Sequence, residues 1–156
     1  MSAGRVLISN APIDAAAAWG SMADPRVGAV ASFLGLVRDA TGSLQALELE
    51  HYPGMTEAAI EAMIDSAQAR FSLHAARVWH RVGRLAVGEP IVQVLTASPH
   101  RQAALDGCAY LMDYLKTQAP FWKKEHRSDG QTEWVAARDA DDAALARWGV
   151  SARNAA

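Results

Sequence analysis

Between His100 and Thr117 the apolar residues Ala104, Cys108, Leu111, Met112 and Leu115 recur at spacings of three and four. Only a helix gathers such a set on one side, so this stretch is expected to be an α-helix whose stripe must be buried. The stripe also decides the reading of Cys108. A thiol in its middle is expected to be packed and inert, and neither a CxxC nor a Cys–His pair lies nearby. Gln118–Pro120 ends the helix, because Pro120 disfavours helical backbone at Ala119.

The partners of that helix are read from segments with other periods. Arg5–Ser9 reads as a short strand, and Pro12 is expected to open a helix through Ala15–Trp19 that stops before Asp24-Pro25. Gly28–Val37 is a continuous apolar run, as expected of a buried strand. Leu44–Tyr52 alternates, with Leu47, Leu49 and His51 against Glu48, Glu50 and Tyr52, which predicts a strand with unlike faces. After Pro53-Gly54 a second long helix is expected from about Thr56 to Phe71, burying Ala59, Ala62, Met63 and Ala67. Ala76–Val82 and Pro90–Ala97 read as strands joined by a turn region around Val87-Gly88-Glu89.

Phe121–His126 and Thr132–Arg138 read as a final hairpin across Ser128-Asp129-Gly130, followed by a short helix around Ala143–Trp148 and fraying after about residue 149. This order of elements predicts an α+β fold in which two main helices pack on a mostly antiparallel sheet. At 156 residues and 51% hydrophobic content, one domain with a substantial core accounts for the whole chain.

Charge and composition exclude several classes of function. A net charge of −2 lacks the basic excess of a nucleic-acid binder. No apolar run approaches the ~20 residues that cross a bilayer, and the N-terminal MSAGRVLISNAPID has no signal-like apolar region. A single cysteine excludes an internal disulfide and fits a reducing compartment, so the protein is expected to be cytoplasmic. The five histidines show no HxxxH or HExxH spacing, and no GxGxxG, Walker A or GxSxG motif occurs. Neither a metal nor an organic cofactor is expected.

The kind of cation says more than the net charge. Of 15 basic residues 12 are arginine, and the three lysines, Lys116, Lys123 and Lys124, fall within nine residues. Either the chain simply favours arginine, or these positions need a primary amine whose pKa can be tuned. Composition leaves those readings even.

Position separates them better. Arg38 ends one strand, His80 and Arg81 another, and His100 and Arg101 open the second long helix, where unpaired N–H groups suit an anion such as phosphate. Lys116 sits in the last turn of that helix, where a cation also complements the helix dipole. Lys123 has no such structural reason. Strand alternation puts it on one face with Phe121 and Glu125. Arg77, Arg84 and Arg127 read as surface cations with solvated tips.

Taken in order, GAVASFLGLVRD (28–39), LELEHYPGM (47–55), HRVGRLAVGEPIV (80–92), SPHRQAALDGCAYLMDYLKTQAPFWKKE (98–125) and WVAAR (134–138) resemble the molybdopterin synthase large-subunit family. The resemblance implies an α/β-hammerhead-like fold and a sulfurtransferase acting on cyclic pyranopterin monophosphate. It also implies a small ubiquitin-like partner with a C-terminal Gly-Gly thiocarboxylate, and a homodimer of large subunits within a heterotetramer. Carried over residue by residue, it makes Lys123 and Lys116 catalytic. It makes Leu36, Val37, Arg38, His100, Arg101, Lys116, Lys123, Lys124 and Glu125 substrate-binding. The family often has a polar or basic residue where this chain has Leu36, so a contact there is expected from the backbone.

Two other functions fit the cations. One is a module that only recognises a ubiquitin-like tail; the other is a phosphoryl or acyl transferase, which would need a phosphate-cradling loop or an activated nucleophile.

Overall fold

The structure, a computed structural model, describes residues 4–135 and 139–149. Its elements are β1 (Val6–Ser9), α1 (Ala15–Gly20), β2 (Ala29–Leu36), β3 (Leu44–His51), α2 (Met55–Phe71), β4 (Ala75–Arg81), β5 (Gly83–Ala86), β6 (Pro90–Ser98), α3 (Arg101–Gln118), β7 (Phe121–Arg127), β8 (Thr132–Trp134) and α4 (Asp139–Ala146). The strands form two four-stranded sheets, ordered β1-β4-β6-β2 and β5-β3-β7-β8. Every pairing is antiparallel except that of β1 with β4. The α+β class is as the sequence predicts, but there are two sheets rather than one.

The second sheet exists because of β5. The turn at Val87-Gly88 is where the sequence places it, but the four residues before it, to which the sequence reading assigns no element, are a strand of their own: Gly83 and Leu85 pair with Leu49 and Leu47 of β3. Gly83, at φ 89°, turns the chain out of β4, a conformation that side-chain-bearing residues avoid. Leu85 then becomes fully buried with Val37, Leu47 and Leu49 as the small core of the second sheet.

The main core lies between the first sheet and helices α2 and α3. The α3 stripe is buried as the spacing predicts, Ala104, Cys108, Leu111, Met112 and Leu115 all facing inward. On α2 the buried side is Thr56, Ile60, Met63, Ile64 and Ala67, whereas Ala62 is exposed. The larger isoleucines claim the interior because they remove more apolar surface from water than alanine does. On the other face of the sheet, Ala18 and Met22 pack on Leu95 and Ala97.

Further corrections concern edges and ends. Strand β2 is an edge strand and not a buried one: Phe33 (41%), Leu34 (40%) and Leu36 (52%) retain much of their exposure. A continuous apolar run cannot say whether one face and one edge stay uncovered. Helix α1 starts after Asp14, whose carboxylate accepts from the Ala17 N–H at 3.1 Å, rather than at Pro12. Helix α4 starts four residues earlier than expected and ends at Ala146, with Trp148 in the turn beyond it. The part of the expected last strand at 136–138 and the expected fraying at 150–156 lie outside the described residues. Among the described residues no helix is long and apolar enough to cross a membrane.

Candidate active site

The ends of four elements converge beside the β2 edge and enclose a cavity of about 440 Å³. Helix α3 contributes Met112, Leu115 and Lys116 from its last turns, and β7 contributes Phe121 and Lys123. The end of β2 brings Leu36 and, just past it, Arg38, and β4 ends there on His80. Arg38, Lys116 and Lys123 therefore share one wall system, and among the described residues no carboxylate lines it. Such a cavity draws in an anion, and its partly apolar walls lessen solvent screening of the attraction.

Local sequence explains how each cation reaches the cavity. At Ala119 the backbone turns extended (φ −81°, ψ 129°), so the chain leaves α3 and reverses into β7 within two residues. That tight exit carries Lys116 and Lys123 to the same place from two different elements. The loop after Arg38 is held by Asp39, whose Oδ1 accepts from the N–H groups of Thr41 (3.1 Å), Gly42 (2.9 Å) and Leu44 (3.3 Å). Burial works to raise the Asp39 pKa, but these N–H donors together hold it below its ordinary value.

His80 departs most from its sequence reading as a strand-end cation. It is 8% exposed and lies flat on Phe121, with ring centroids 3.9 Å apart and planes 17° apart. Burial, joined by the charges of Lys123, Lys116 and His51, pushes its pKa down to about 4. It is therefore neutral at physiological pH. Its Nδ1 lies 2.8 Å from the Arg81 carbonyl oxygen. A carbonyl only accepts, so Nδ1 carries the proton and Nε2 is left as an acceptor. The sequence does hold a signal for this: Ala76, Val78 and His80 form one period-two row that ends on histidine where an apolar residue is ordinary. Arg81 is buried too, reaching Glu89 at 3.5 Å and the Asn10 carbonyl at 3.2 Å.

The remaining expected site residues are distributed differently. Val37 turns its side chain into the second sheet's core, and its N–H and C=O pair with Glu89 and Gly88. Lys124 points to the opposite face of β7, with Nζ 5.2 Å from the centre of the Trp134 ring. Glu125 accepts from Arg127 at 2.8 Å. His100 and Arg101 are exposed at the start of α3, about 22 Å along the helix from Lys116 at 1.5 Å per residue. A single chain therefore does not bring them to the cavity. Arg127, read as a solvated cation, is paired with Glu125 and with Glu133 at 3.5 Å.

Cys108 does not reach the site as a nucleophile. It is 7% exposed, and burial pushes its thiol up to about 11. The cavity thus offers cations, a neutral imidazole and apolar walls, but no reactive sulfur.

Comparison with known proteins adds independent findings. A family model described as "MoaE protein" matches residues 8–118. A molybdopterin synthase catalytic subunit from Rhizobium meliloti (strain 1021) is 61% identical over 123 residues, 78% of this chain and 79% of that one. Another, from Cereibacter sphaeroides, is 51% identical over 146 residues, 92% of this chain and 99% of the relative. Among solved structures, the molybdopterin biosynthesis MoaE protein from Burkholderia ambifaria MC40-6 superposes with a TM-score of 0.82 at 46% identity. That match covers 96% of this chain and 100% of the other.

Proposed function

The chain belongs to the MoaE family and is a molybdopterin synthase catalytic subunit in molybdenum cofactor biosynthesis, and from that premise we propose how its cavity works. The substrate is cyclic pyranopterin monophosphate, held in the cavity beside Arg38, Lys116 and Lys123. The sulfur comes from the C-terminal thiocarboxylate of a small ubiquitin-like carrier, whose flexible tail enters the same cavity. The reaction installs two sulfurs to give a dithiolene.

The observation that carries this reading is the composition of the cavity, which among the described residues has three cations, no carboxylate and no thiol. With the lone thiol buried and its pKa raised, sulfur must arrive from outside. The cations favour both the phosphate and the anionic tail, and holding the two together supplies proximity. Lys123 sits nearest the reacting carbons as acid, base or electrostatic catalyst, and Lys116 orients the thiocarboxylate or the intermediate. The apolar walls, Met112 and Leu115 among them, limit the water that would compete for the intermediate.

His100 and Arg101 enter this scheme through a second copy of the chain. They lie at the far end of α3, so their contact with the same phosphate requires a homodimer in which the helices run in opposite directions. The α3 positions Leu105 and Ala109, with Phe33 of β2, border a shallow apolar groove suited to such a contact. A carrier docked on each large subunit completes a heterotetramer, working in the cytoplasm.

The test is reconstitution. The chain is mixed with thiocarboxylated carrier and cyclic pterin, and the dithiolene product is assayed. Dithiolene formation is expected, together with pterin binding by the isolated chain. A module that only recognises the carrier tail would bind carrier, show no pterin affinity and form no dithiolene.

A further inference from the structure

The row Ala76, Val78, His80 on β4 faces the main core, where the first two positions are apolar and buried. Replacing a third apolar residue by histidine costs stability unless the ring's nitrogens are used. One is used structurally, by the Arg81 carbonyl at 2.8 Å. The other, Nε2, is an acceptor on a ring that lines the cavity together with Lys116 and Lys123. Among the charges acting on that ring, Lys123 is the first and Lys116 the second.

The ring is also fixed from the side. Phe121 stacks on His80 at 3.9 Å and lies 6.5 Å from His51, with which it also pairs across β3 and β7. His51 in turn meets Glu57 of α2 at 3.2 Å. This aromatic run ties the end of the first sheet to the second sheet. Lys123 is two residues beyond Phe121 on β7 and shares its face. The imidazole therefore stacks on the same-face neighbour of Lys123, and both line the cavity.

We propose that His80 is a positioning residue for Lys123: its neutral ring, with the tautomer fixed by the Arg81 carbonyl, presents Nε2 as an acceptor that holds the lysine ammonium toward the bound pterin. This rests on the reading of the cavity as the sulfur-transfer site. A protonated imidazole there would repel the ammonium, so the buried, neutral state is the functional one. A histidine serving only as filler would need the volume and the stack but no acceptor.

Three variants separate those roles: His80→Phe keeps the ring stack, His80→Gln can place an amide oxygen near Nε2, and His80→Asn is too short to do so. All three are compared with wild type in the reconstituted assay, with folded fraction measured by circular dichroism and kcat and KM for the pterin determined separately. The expected result is a kcat at least tenfold lower for folded His80→Phe and His80→Asn, a pterin KM within about threefold of wild type, and recovery of most of kcat in His80→Gln. Wild-type kcat in folded His80→Phe would overturn the proposal, as would losses in all three variants that merely follow folded fraction or pterin KM. Failure of wild type itself to make dithiolene, by contrast, would remove the reading of the cavity on which the proposal rests.

Discussion

The Thr56 hydroxyl donates to the Pro120 carbonyl oxygen at 3.0 Å and accepts from the Tyr52 N–H at 2.9 Å. Thr56 is fully buried at the start of α2, and Pro120 is the residue at which α3 gives way to β7. One hydroxyl thus joins the β3–α2 corner to the turn between the two site lysines. Thr56→Val keeps the shape but leaves the Tyr52 N–H and the Pro120 C=O, both only partly buried, without that partner. The expected loss is about 0.5–1.5 kcal/mol of stability, read as a lower urea midpoint at unchanged slope. Turnover of the remaining folded protein should also fall, because Lys123 follows the displaced turn. An unchanged midpoint would show that the junction holds without this hydroxyl.

The lysines themselves give the most direct prediction. Lys123→Ala is expected to lower turnover by about two to four decades, the usual worth of a positioned acid or base. Lys116→Ala should impair turnover as well, by a smaller factor. Neither change should unfold the protein, since Lys116 is exposed and Lys123 only half-buried. Dithiolene assay beside circular dichroism checks both halves, and near-normal turnover in both variants would remove the lysines from the chemistry.

These lysines were visible in the sequence because local periodicity is enough to place them. A 3.6-residue stripe ending at Pro120 puts Lys116 in the last turn of α3, and period-two alternation puts Lys123 with Phe121. The approach of β2, β4 and β7 to that helix end was not visible, since pairing between distant strands leaves no local trace. Four-residue β5 escaped for the same reason: its strand character comes from pairing with β3, not from its own length. His80 escaped because residue type suggests a cation, whereas burial makes it neutral. Arg101 and Arg38 read alike as anion-binding residues, and only the length of α3 separates them within one chain.

Cys108 tests whether sulfur comes from outside. Its Sγ is 3.9 Å from the Val94 carbonyl, and its thiol is pushed up to about 11 by burial. At pH 8 the native thiol should resist iodoacetamide and react promptly after unfolding. Cys108→Ala should lose on the order of 1 kcal/mol, as for a small core truncation, and keep its turnover. Loss of sulfur transfer in a folded Cys108→Ala protein would point instead to an internal persulfide carrier.

The buried imidazole predicts a pH dependence of stability. His80 is held near 4 in the folded state, against an ordinary value near 6.5. Between those values the unfolded chain binds a proton that the folded chain refuses, so stability falls as pH drops from about 6.5 to about 4. Above that window the ring is neutral in both states and its contribution is constant. Each tenfold difference in proton affinity corresponds to about 1.4 kcal/mol. The carboxylates of Asp39 and Glu57, held below their ordinary values, lose their contributions at lower pH than most of this window. Urea midpoints of wild type should decline across the window more steeply than those of His80→Phe. Parallel declines would assign the effect to other groups.

The two arginines test how the site is assembled. Arg38 lines the cavity, whereas Arg101 stands at the opposite end of α3. If both hold the same phosphate, each site takes Arg38 from one subunit and Arg101 from its partner. Arg38→Ala and Arg101→Ala should then each weaken pterin binding by about 1.5–3 kcal/mol for a lost charge-assisted contact, or about one to two decades in affinity. Carrier docking should be less affected. Raising the salt should weaken wild-type binding more than that of either variant, because part of the electrostatic term is already gone. Mixing the two variants supplies the sharper measurement. After subunit exchange about half of the dimers are hybrids, and each hybrid has one site with both arginines and one with neither. About a quarter of wild-type sites should therefore return, as turnover well above either variant alone. No recovery after verified exchange would mean that the two arginines serve one subunit's site independently, or that the phosphate lies away from Arg101.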